Sequence, residues 1–431
     1  MKPNLLSSAA LVVLSTNGVL SKDSSSANGL RDAFDTMADA AKAKFAGLSD
    51  HAAVGGSEEP ELSASAFGTS LFSEVCEEFP SGNVLLSPLS VHKALALVKD
   101  GATIGSENEA ELKQLLGSSS SIEQTSEDGE CDVQLSIATS IWANRLKQSY
   151  VDGAVENHSA EAFPLPDRYT PVDDWIEKKT NGMIKGFLGD DELDGDIEAL
   201  LVNAVYFKGA WTYEFDPKDT VDGDFTLRDE SKSPAKFMTA TFKMCLLEKA
   251  SALGGASAVM LDYGNQTSDG EPAEFASIFI LPATPDTDSM NDVITGLNSQ
   301  SIEDLMDRAW KTNAKVVLPR FRLEFGPEKL KPSLEDMGMK IAFDDRNQNM
   351  FDEMSGNPGL YVGDVLHGAV MEVTEAGTEA AAATVVPMRS RSMPRAPPEI
   401  TFDRPFVVVV IHKATGEPVF MGRVEEPVLI F

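Results

Sequence analysis

Residues 375–392 read Glu-Ala-Gly-Thr-Glu-Ala-Ala-Ala-Ala-Thr-Val-Val-Pro-Met-Arg-Ser-Arg-Ser. A glycine and a run of small residues, Ala380 to Ala383, lead to two arginines that are each followed by serine. Small side chains can pass between two strands of a sheet without large cavities or clashes. Arginine is the residue that a trypsin-like protease takes into its acidic specificity pocket. The stretch therefore favours a protease bait joined to a segment that can enter a β-sheet.

The alanine run alone is equally compatible with a helix or a disordered linker, since alanine is the best helix former. The sequence that follows it decides between these interpretations. Thr401-Phe-Asp-Arg-Pro-Phe406 is followed by a run of valines and then by Phe420-Met-Gly-Arg-Val424. Together, these segments resemble the hinge, reactive-centre loop and C-terminal signature of the serpin family. The resemblance extends from about Glu61 to Pro427.

The resemblance implies an α+β serpin fold, with helices around a large central β-sheet, further sheets and an exposed reactive-centre loop at about 375–398. Strand-like segments scattered among helical ones agree with a mixed domain. Residues 83–90 predict a short buried strand that enters a helix with Ser90 as its N-cap. Further helices are predicted at 62–75, 108–116, 172–187 and 330–337. Further strands are predicted at 134–143, 199–208, 259–263, 277–282 and 315–325.

The N-terminal segment precedes this resemblance. Lys2 and the apolar run at 5–14 fit a secretory signal peptide, which we place at 1–21. Residues 22–60 are rich in serine, alanine and acidic residues and predict a flexible extension before a serpin domain at 61–431. We therefore expect a secreted, extracellular protein. An organellar targeting peptide, with an organellar or intracellular protein, is the competing interpretation.

The net charge of −32 restricts the partners of the chain. It disfavours nucleic acids, heparin-like polyanions and anionic membranes, because each would be repelled. Glycosaminoglycan-activated serpins carry a basic helix in the region of 117–132, but here that stretch is acidic and has no lysine or arginine. We expect no nucleic-acid, heparin or membrane partner, and a monomeric protein.

The cysteines and sequons add little. Cys76, Cys131 and Cys245 form no C-x-x-C pair, so neither a zinc site nor a disulfide framework is predicted. No cofactor or metal is expected. The sequons at Asn157 and Asn265 are compatible with the secretory route, although such triplets also arise by chance.

The resemblance also places the reactive bond. In inhibitory serpins the hinge glutamate lies sixteen residues before the residue that the protease pocket accepts. Counting from Glu375 reaches Arg391, which gives Arg391–Ser392 as the reactive bond. Arg389–Ser390 has the same chemistry and remains the alternative. The ordinary interpretation of either arginine is a solvated loop charge.

The hinge is the part of the loop that would enter the sheet first. Gly377 tolerates backbone angles that other residues resist, and no proline, aspartate or lysine interrupts the segment. An inserted strand from Thr378 to Arg391 would span roughly 45 Å at about 3.3 Å per residue. The residues assigned to the hinge are Glu375, Gly377, Thr378, Glu379, Ala380, Ala381, Ala382 and Ala383.

A second group matches family positions beneath the central strands. Ser87, Ser90, Asn203 and His367 correspond to a polar network there, and Trp211 corresponds to the neighbouring breach tryptophan. A buried network is costly when only partly satisfied, so it can act as a latch on sheet opening. The alternative is four polar residues that are satisfied independently.

Together these assignments imply a suicide inhibitor of trypsin-like serine proteases. The protease serine would attack the carbonyl of Arg391, and the freed loop would then enter the sheet with the acylated protease attached. A non-inhibitory serpin that acts as a binding or carrier protein is the alternative, as is cross-class inhibition of a cysteine protease. An enzyme is not expected, because the chain lacks the G-x-S-x-G, H-E-x-x-H and G-x-x-x-x-G-K-[ST] motifs.

Overall fold

The structure, a computed structural model, describes the following residues: 63–117, 120, 122, 133–186, 188–193, 197–264, 273–308, 310–378 and 397–428. Several predicted features lie outside them: the signal peptide at 1–21, the extension at 22–60, Cys131, Asn265, Glu379, Ala380 to Ala383, Arg389, Ser390, Arg391 and Ser392.

The helices begin at side chains that cap them. Ser63, Ser106 and Asp286 each accept a hydrogen bond from the backbone N–H three residues later, which satisfies one of the free donors of the first turn. In chain order the α-helices are α1 Ala64–Glu78, α2 Pro88–Asp100, α3 Glu107–Leu116, α4 Gln148–His158, α5 Thr170–Lys179, α6 Thr287–Gly296, α7 Ser299–Arg308 and α8 Lys331–Asp336. Single 3₁₀ turns lie at Pro217–Asp219, Ser251–Leu253 and Ile341–Phe343.

The strands follow the chain between these helices. They are β1 Val84–Leu86, β2 Val133–Ala143, β3 Glu161–Phe163, β4 Ala199–Ala210, β5 Val221–Thr226, β6 Lys232–Ala250, β7 Ala256–Asp262, β8 Phe275–Leu281, β9 Trp310–Pro319, β10 Phe321–Lys329, β11 Asp364–Val373, β12 Gly377–Thr378, β13 Glu399–Thr401, β14 Phe406–His412 and β15 Glu417–Val424.

These strands form two sheets among the described residues. The nine-stranded sheet has the order β1-β15-β14-β8-β7-β6-β9-β13, with β5 on β6. The six-stranded sheet, called the central sheet below, has the order β10-β11-β4-β2-β3, with β12 on the end of β4. Helices and mixed sheets confirm the predicted α+β class.

Strand β4 lies in the middle of the central sheet and is buried on both faces. Ten of its twelve residues are buried, which explains its nearly continuous apolar run. Val202 and Ala204 belong to a cluster with Val172 and Trp175 of α5. Val205, on the opposite face, belongs to the main core. The central sheet is therefore a layer between α5 and the rest of the domain.

Three details differ from the sequence-based expectations. The N-cap of α2 is Ser87, not Ser90, because Pro88 can occupy the first helical position without losing a hydrogen bond. The strand predicted at 315–325 is two strands, β9 and β10, which separate after Pro319 and enter different sheets. Helix α5 spans Thr170–Lys179 and is shorter than the helix predicted at 172–187.

The C-terminal signature lies in the core. Strands β14 and β15 pair with each other, and Arg423 of β15 is only 1% exposed. Its guanidinium donates to the Gly82 carbonyl at 2.9 Å and pairs with Glu425 at 3.1 Å. A buried charge of this kind is retained only because both the ion pair and the carbonyl acceptors satisfy it.

Replacing Arg423 with methionine is therefore expected to lower the free energy of unfolding by about 3–5 kcal/mol, since Glu425 and the Gly82 carbonyl lose a buried partner. Thermal unfolding followed by circular dichroism measures the effect. Arg346→Met is the matched control, because the side chain of Arg346 is 84% exposed. Equal melting temperatures for the two variants would contradict the structural role of Arg423.

Candidate functional site

The predicted polar network is present beneath the central strands. Asn203 of β4 and His367 of β11 are register partners, and His367 Nδ1 lies 2.8 Å from Asn203 Oδ1. Ser90 Oγ of α2 donates to the same Asn203 oxygen at 2.6 Å. The backbone N–H of Ser87 donates to His367 Nε2 at 3.1 Å. Two strands and one helix are thus joined through a single histidine–asparagine pair.

The hydrogen bonds fix the protonation of His367. Because Nε2 accepts a hydrogen bond from the Ser87 backbone, the ring proton is on Nδ1 and is donated to Asn203 Oδ1. The side chain is fully buried, and this desolvation lowers the pKa of His367 to about 3. His367 is therefore neutral in the folded protein at physiological pH.

Thr139 is a fifth member of the network that the sequence did not indicate. It is the register partner of Asn203 on β2, and its Oγ1 accepts a hydrogen bond from Asn203 Nδ2 at 3.2 Å. The network therefore links β2, β4 and β11, three adjacent strands of the central sheet. A threonine inside a strand carries no local signal for this role, because the contact depends on the register between strands.

The low pKa of His367 makes stability depend on pH. In the unfolded chain a histidine titrates near pH 6.5. The unfolded state therefore takes up a proton before the folded state does, and stability is lost as pH falls from about 6.5 towards 3. At pH 5 the expected loss from this residue is about 2 kcal/mol, from about 1.4 kcal/mol per unit.

His367→Gln should make the free energy of unfolding less dependent on pH. The glutamine amide offers one hydrogen-bond donor group and one acceptor, as the neutral imidazole does, but it does not titrate. The measurement is the urea midpoint at pH 7 and pH 5 for both proteins. His92, which is also buried and also has a lowered pKa, is retained in both. If the urea midpoint fell by the same amount from pH 7 to pH 5 in both proteins, the loss of stability could not be assigned to His367.

The described part of the hinge forms a tight turn over the end of β4. The Thr374 N–H donates to the Gly377 carbonyl at 2.8 Å, and Gly377 pairs with Ala210 at the start of β12. Gly377 has a φ of +138°, and a Cβ there would lie 2.1 Å from the Gly209 carbonyl oxygen. Only glycine fits this approach, which agrees with the role predicted for it.

Trp211 holds this turn with two hydrogen bonds. Its indole Nε1 donates to the Thr374 carbonyl at 3.0 Å, and its backbone N–H donates to the Ala376 carbonyl at 3.0 Å. The ring is 4% exposed and stacks on Tyr263 with a centroid distance of 4.4 Å. The predicted breach tryptophan is therefore in direct contact with the hinge.

Glu375 is fastened separately. Its Oε1 accepts a hydrogen bond from Thr220 at 2.7 Å, and its Oε2 lies 3.5 Å from Arg320 Nε. Its carbonyl accepts from the Phe215 N–H at 2.9 Å. Thr220 and Arg320 were not expected from the sequence, because they lie 155 and 55 residues from Glu375 along the chain. The hinge glutamate is thus clamped in the turn between β11 and β12.

The strand order provides a place for an additional strand. β4 and β11 are adjacent and parallel, with Leu200 to Tyr206 paired to Asp364 to Val370. A segment that returned from the end of β11 between them would run antiparallel to both. One parallel ladder would then be replaced by two antiparallel ladders, which are slightly more stable per residue. The polar network described above lies across this same junction.

The distal end of the loop is fixed at β13. The Pro398 carbonyl accepts from the Lys315 N–H at 2.8 Å, and Glu399–Thr401 pairs with β9. The candidate reactive bonds lie outside the described residues. Within the described ranges no cluster of three or more metal-ligating side chains occurs, and no helix is long and apolar enough to cross a membrane. Of the three cysteines, Cys76 and Cys245 are buried free thiols.

Comparison with known proteins agrees with this geometry. A family model described as Serpin (serine protease inhibitor) matches residues 62–427. Serpin-ZXA of Oryza sativa subsp. japonica is 32% identical over 373 residues, which cover 80% of this chain and 91% of the relative. Alpha-1-antitrypsin 1-4 of Mus musculus is 27% identical and covers 84% and 87%, respectively.

Solved structures share the fold. Tengpin, a thermophilic serpin in its native state, aligns with a TM-score of 0.71 at 26% identity, covering 84% of this chain and 93% of that chain. Human thyroxine-binding globulin in complex with its hormone aligns at 0.70 and 20% identity, covering 85% and 98%. The second likeness concerns the fold alone.

Proposed function

Since this chain belongs to the serpin family, we propose that it is a suicide inhibitor of trypsin-like serine proteases with Arg391–Ser392 as its reactive bond. The observation that carries the proposal is the hinge. Residues 374–376 form a turn after β11, and β12 is already paired antiparallel with the end of β4, so the chain that follows is aligned with a parallel strand pair that can accept another strand. The arginine at the sixteen-residue spacing supports the trypsin-like target.

The chemical step belongs to the protease. Its serine oxygen bonds to the carbonyl carbon of Arg391, the peptide bond to Ser392 breaks, and the amine of Ser392 leaves with a proton. Insertion of 378–391 between β4 and β11 then carries the ester-linked protease along the sheet. Deacylation requires water and an intact protease active site, so inhibition depends on insertion that is faster than hydrolysis.

Insertion must extend β12 along β4 and separate β11 from β4, next to a hinge that is held by several contacts. These are the two hydrogen bonds from Trp211, the clamp of Thr220 and Arg320 on Glu375, and the turn between Thr374 and Gly377. The His367–Asn203 bond also crosses the junction that opens. Because the His367–Asn203 bond joins the two strands that must separate, it opposes insertion until cleavage frees the loop.

The proposal extends to location and cofactor requirement. We place the inhibitor outside the cell, which is supported by the signal-like N-terminus and by the exposed position of Asn157 in its sequon on α4. Inhibition is expected without heparin, because the chain carries a net charge of −32 and 117–132 contains no basic residue. Monomeric inhibitor is sufficient for this mechanism.

Incubation of the purified protein with trypsin, followed by denaturing electrophoresis and mass spectrometry, tests the proposal. The expected result is a covalent complex that survives denaturation and a released peptide that begins at Ser392. A peptide that begins at Ser390 would move the bait to Arg389. Cleavage without a complex, with no rise in the thermal stability of the cleaved protein, would overturn inhibition and favour a binding or carrier serpin. A complex with papain but not trypsin would favour cysteine-protease inhibition.

A further inference from the structure

A pocket of about 280 Å³ lies beside the breach tryptophan. It is lined by residues from the segment just after β4 and from β6, β7 and β9, among them Trp211, Tyr213, Phe242, Lys243 and Lys311. The volume is near the lower limit of typical ligand sites, which run from about 300 to 1,000 Å³. A molecule with one or two fused rings fits this space.

The pocket concentrates positive charge on a strongly acidic protein. Register pairs Cys245 with Lys311 and Lys243 with Asn313, so the two lysines are diagonal neighbours on one face of the sheet, about 7–8 Å apart. Both are exposed, and neither has an ion-pair partner among the described residues. The one carboxylate in the lining, Asp262, is already bound by Lys413 Nζ at 2.8 Å.

Aromatic rings form the apolar part of the pocket. Tyr213 is 41% exposed and stacks on Phe242 with a centroid distance of 5.8 Å. Tyr263 stacks on one face of the Trp211 ring. Trp211 is also one of the residues that line the pocket. Aromatic surface favours flat rings, and two unpaired ammonium groups favour a carboxylate over a neutral group.

We propose that this pocket binds a small aromatic carboxylate and that occupancy holds the hinge in its uninserted position. The lysines would bind the carboxylate, and the rings would lie against Trp211, Tyr213 and Phe242. The regulatory half of this inference rests on the proposed inhibitory function, because it concerns the same hinge.

Trp211 provides the connection between the pocket and the hinge. The same residue that lines the pocket donates to the Thr374 and Ala376 carbonyls at 3.0 Å. When the loop inserts beyond β12, β11 must separate from β4, and the segment after β4 that carries Trp211 and Tyr213 must rearrange beside the new strand. A ligand that contacts this arrangement should therefore bind the uninserted form more tightly than the inserted form. Thermodynamic reciprocity then requires that the bound ligand disfavours insertion.

The test is isothermal titration calorimetry with 2-naphthoate on the intact full-length protein. Lys243→Gln and Lys311→Gln should each weaken binding at least tenfold, whereas Lys340→Gln, an equal loss of charge at an exposed lysine outside the pocket, should leave it unchanged. The neutral analogue 2-naphthamide should bind at least tenfold more weakly than 2-naphthoate. Absence of heat with the intact protein, or equal affinity in all three variants, would overturn the site.

The coupling is tested on protein cleaved in its loop by trypsin and separated from the protease. Binding of 2-naphthoate to the cleaved form should be at least tenfold weaker than to the intact form. A cleaved form that gains thermal stability yet binds equally well would overturn the coupling. A cleaved form that gains no stability would instead contradict loop insertion and hence the proposed function, and the variant series on intact protein would still decide the pocket.

Discussion

Arg391→Glu is expected to reduce the rate of trypsin inhibition by roughly a thousandfold or more. The specificity pocket of trypsin carries an aspartate that pairs with the arginine side chain of its substrate. A glutamate would leave that aspartate unpaired and would add a like charge beside it, which disfavours the acylation transition state strongly. The rate of formation of the covalent complex measures the effect.

Arg389→Glu is the matched control, since it makes the same change two residues earlier. It should leave inhibition within a few-fold of the unchanged protein, because it lies near the bait but does not occupy the pocket. The opposite pattern would assign the bait to Arg389. Equal inhibition by both variants would mean that neither arginine enters the protease pocket. Thermal stability should be the same for both, since both substitutions make the same change of charge two residues apart.

The fold class was predictable because the deciding residues are close together in the sequence. Gly377 and the alanines after it predict, by their small size, a segment that can enter a sheet, and Arg423 with its neighbours marks the C-terminal strands. Ser87, Ser90, Asn203 and His367 were recognised by family position, and the structure brings all four into one network.

The unpredicted parts depend on contacts between distant residues. Thr139 joins the network only because β2 pairs with β4 in a particular register, and Thr220 and Arg320 reach Glu375 only in the folded chain. Strand β6 was not predicted. Many of its nineteen residues are exposed or half-buried, so its apolar pattern is weak. The reactive bond itself stays a prediction from the sequence, because its residues lie outside the described ranges.

In the proposed mechanism inhibition requires insertion of the hinge, whereas cleavage of the reactive bond does not. Ala381→Pro should therefore impair inhibition and leave cleavage intact. Proline has no backbone N–H to donate and is confined to edge strands, strand starts and bulges, so it is poorly tolerated inside a sheet. The substitution lies ten residues before Arg391, so trypsin should still cleave that bond at a similar rate. Insertion should become slower than hydrolysis of the ester, and a barrier increase of only about 1.4–2.7 kcal/mol changes this competition by 10- to 100-fold.

We therefore expect Ala381→Pro to convert the inhibitor into a substrate, with the number of inhibitor molecules consumed per trapped trypsin rising at least tenfold. Ala396→Pro is the control, because it makes the same replacement beyond the reactive bond, where the chain does not insert. Stoichiometric titration of trypsin gives the first quantity, and the melting temperature of the cleaved protein shows whether the loop has inserted. If Ala381→Pro inhibited normally, the protease would be trapped without insertion of this segment, and the parallel strand pair β4–β11 would not be the site at which the loop enters.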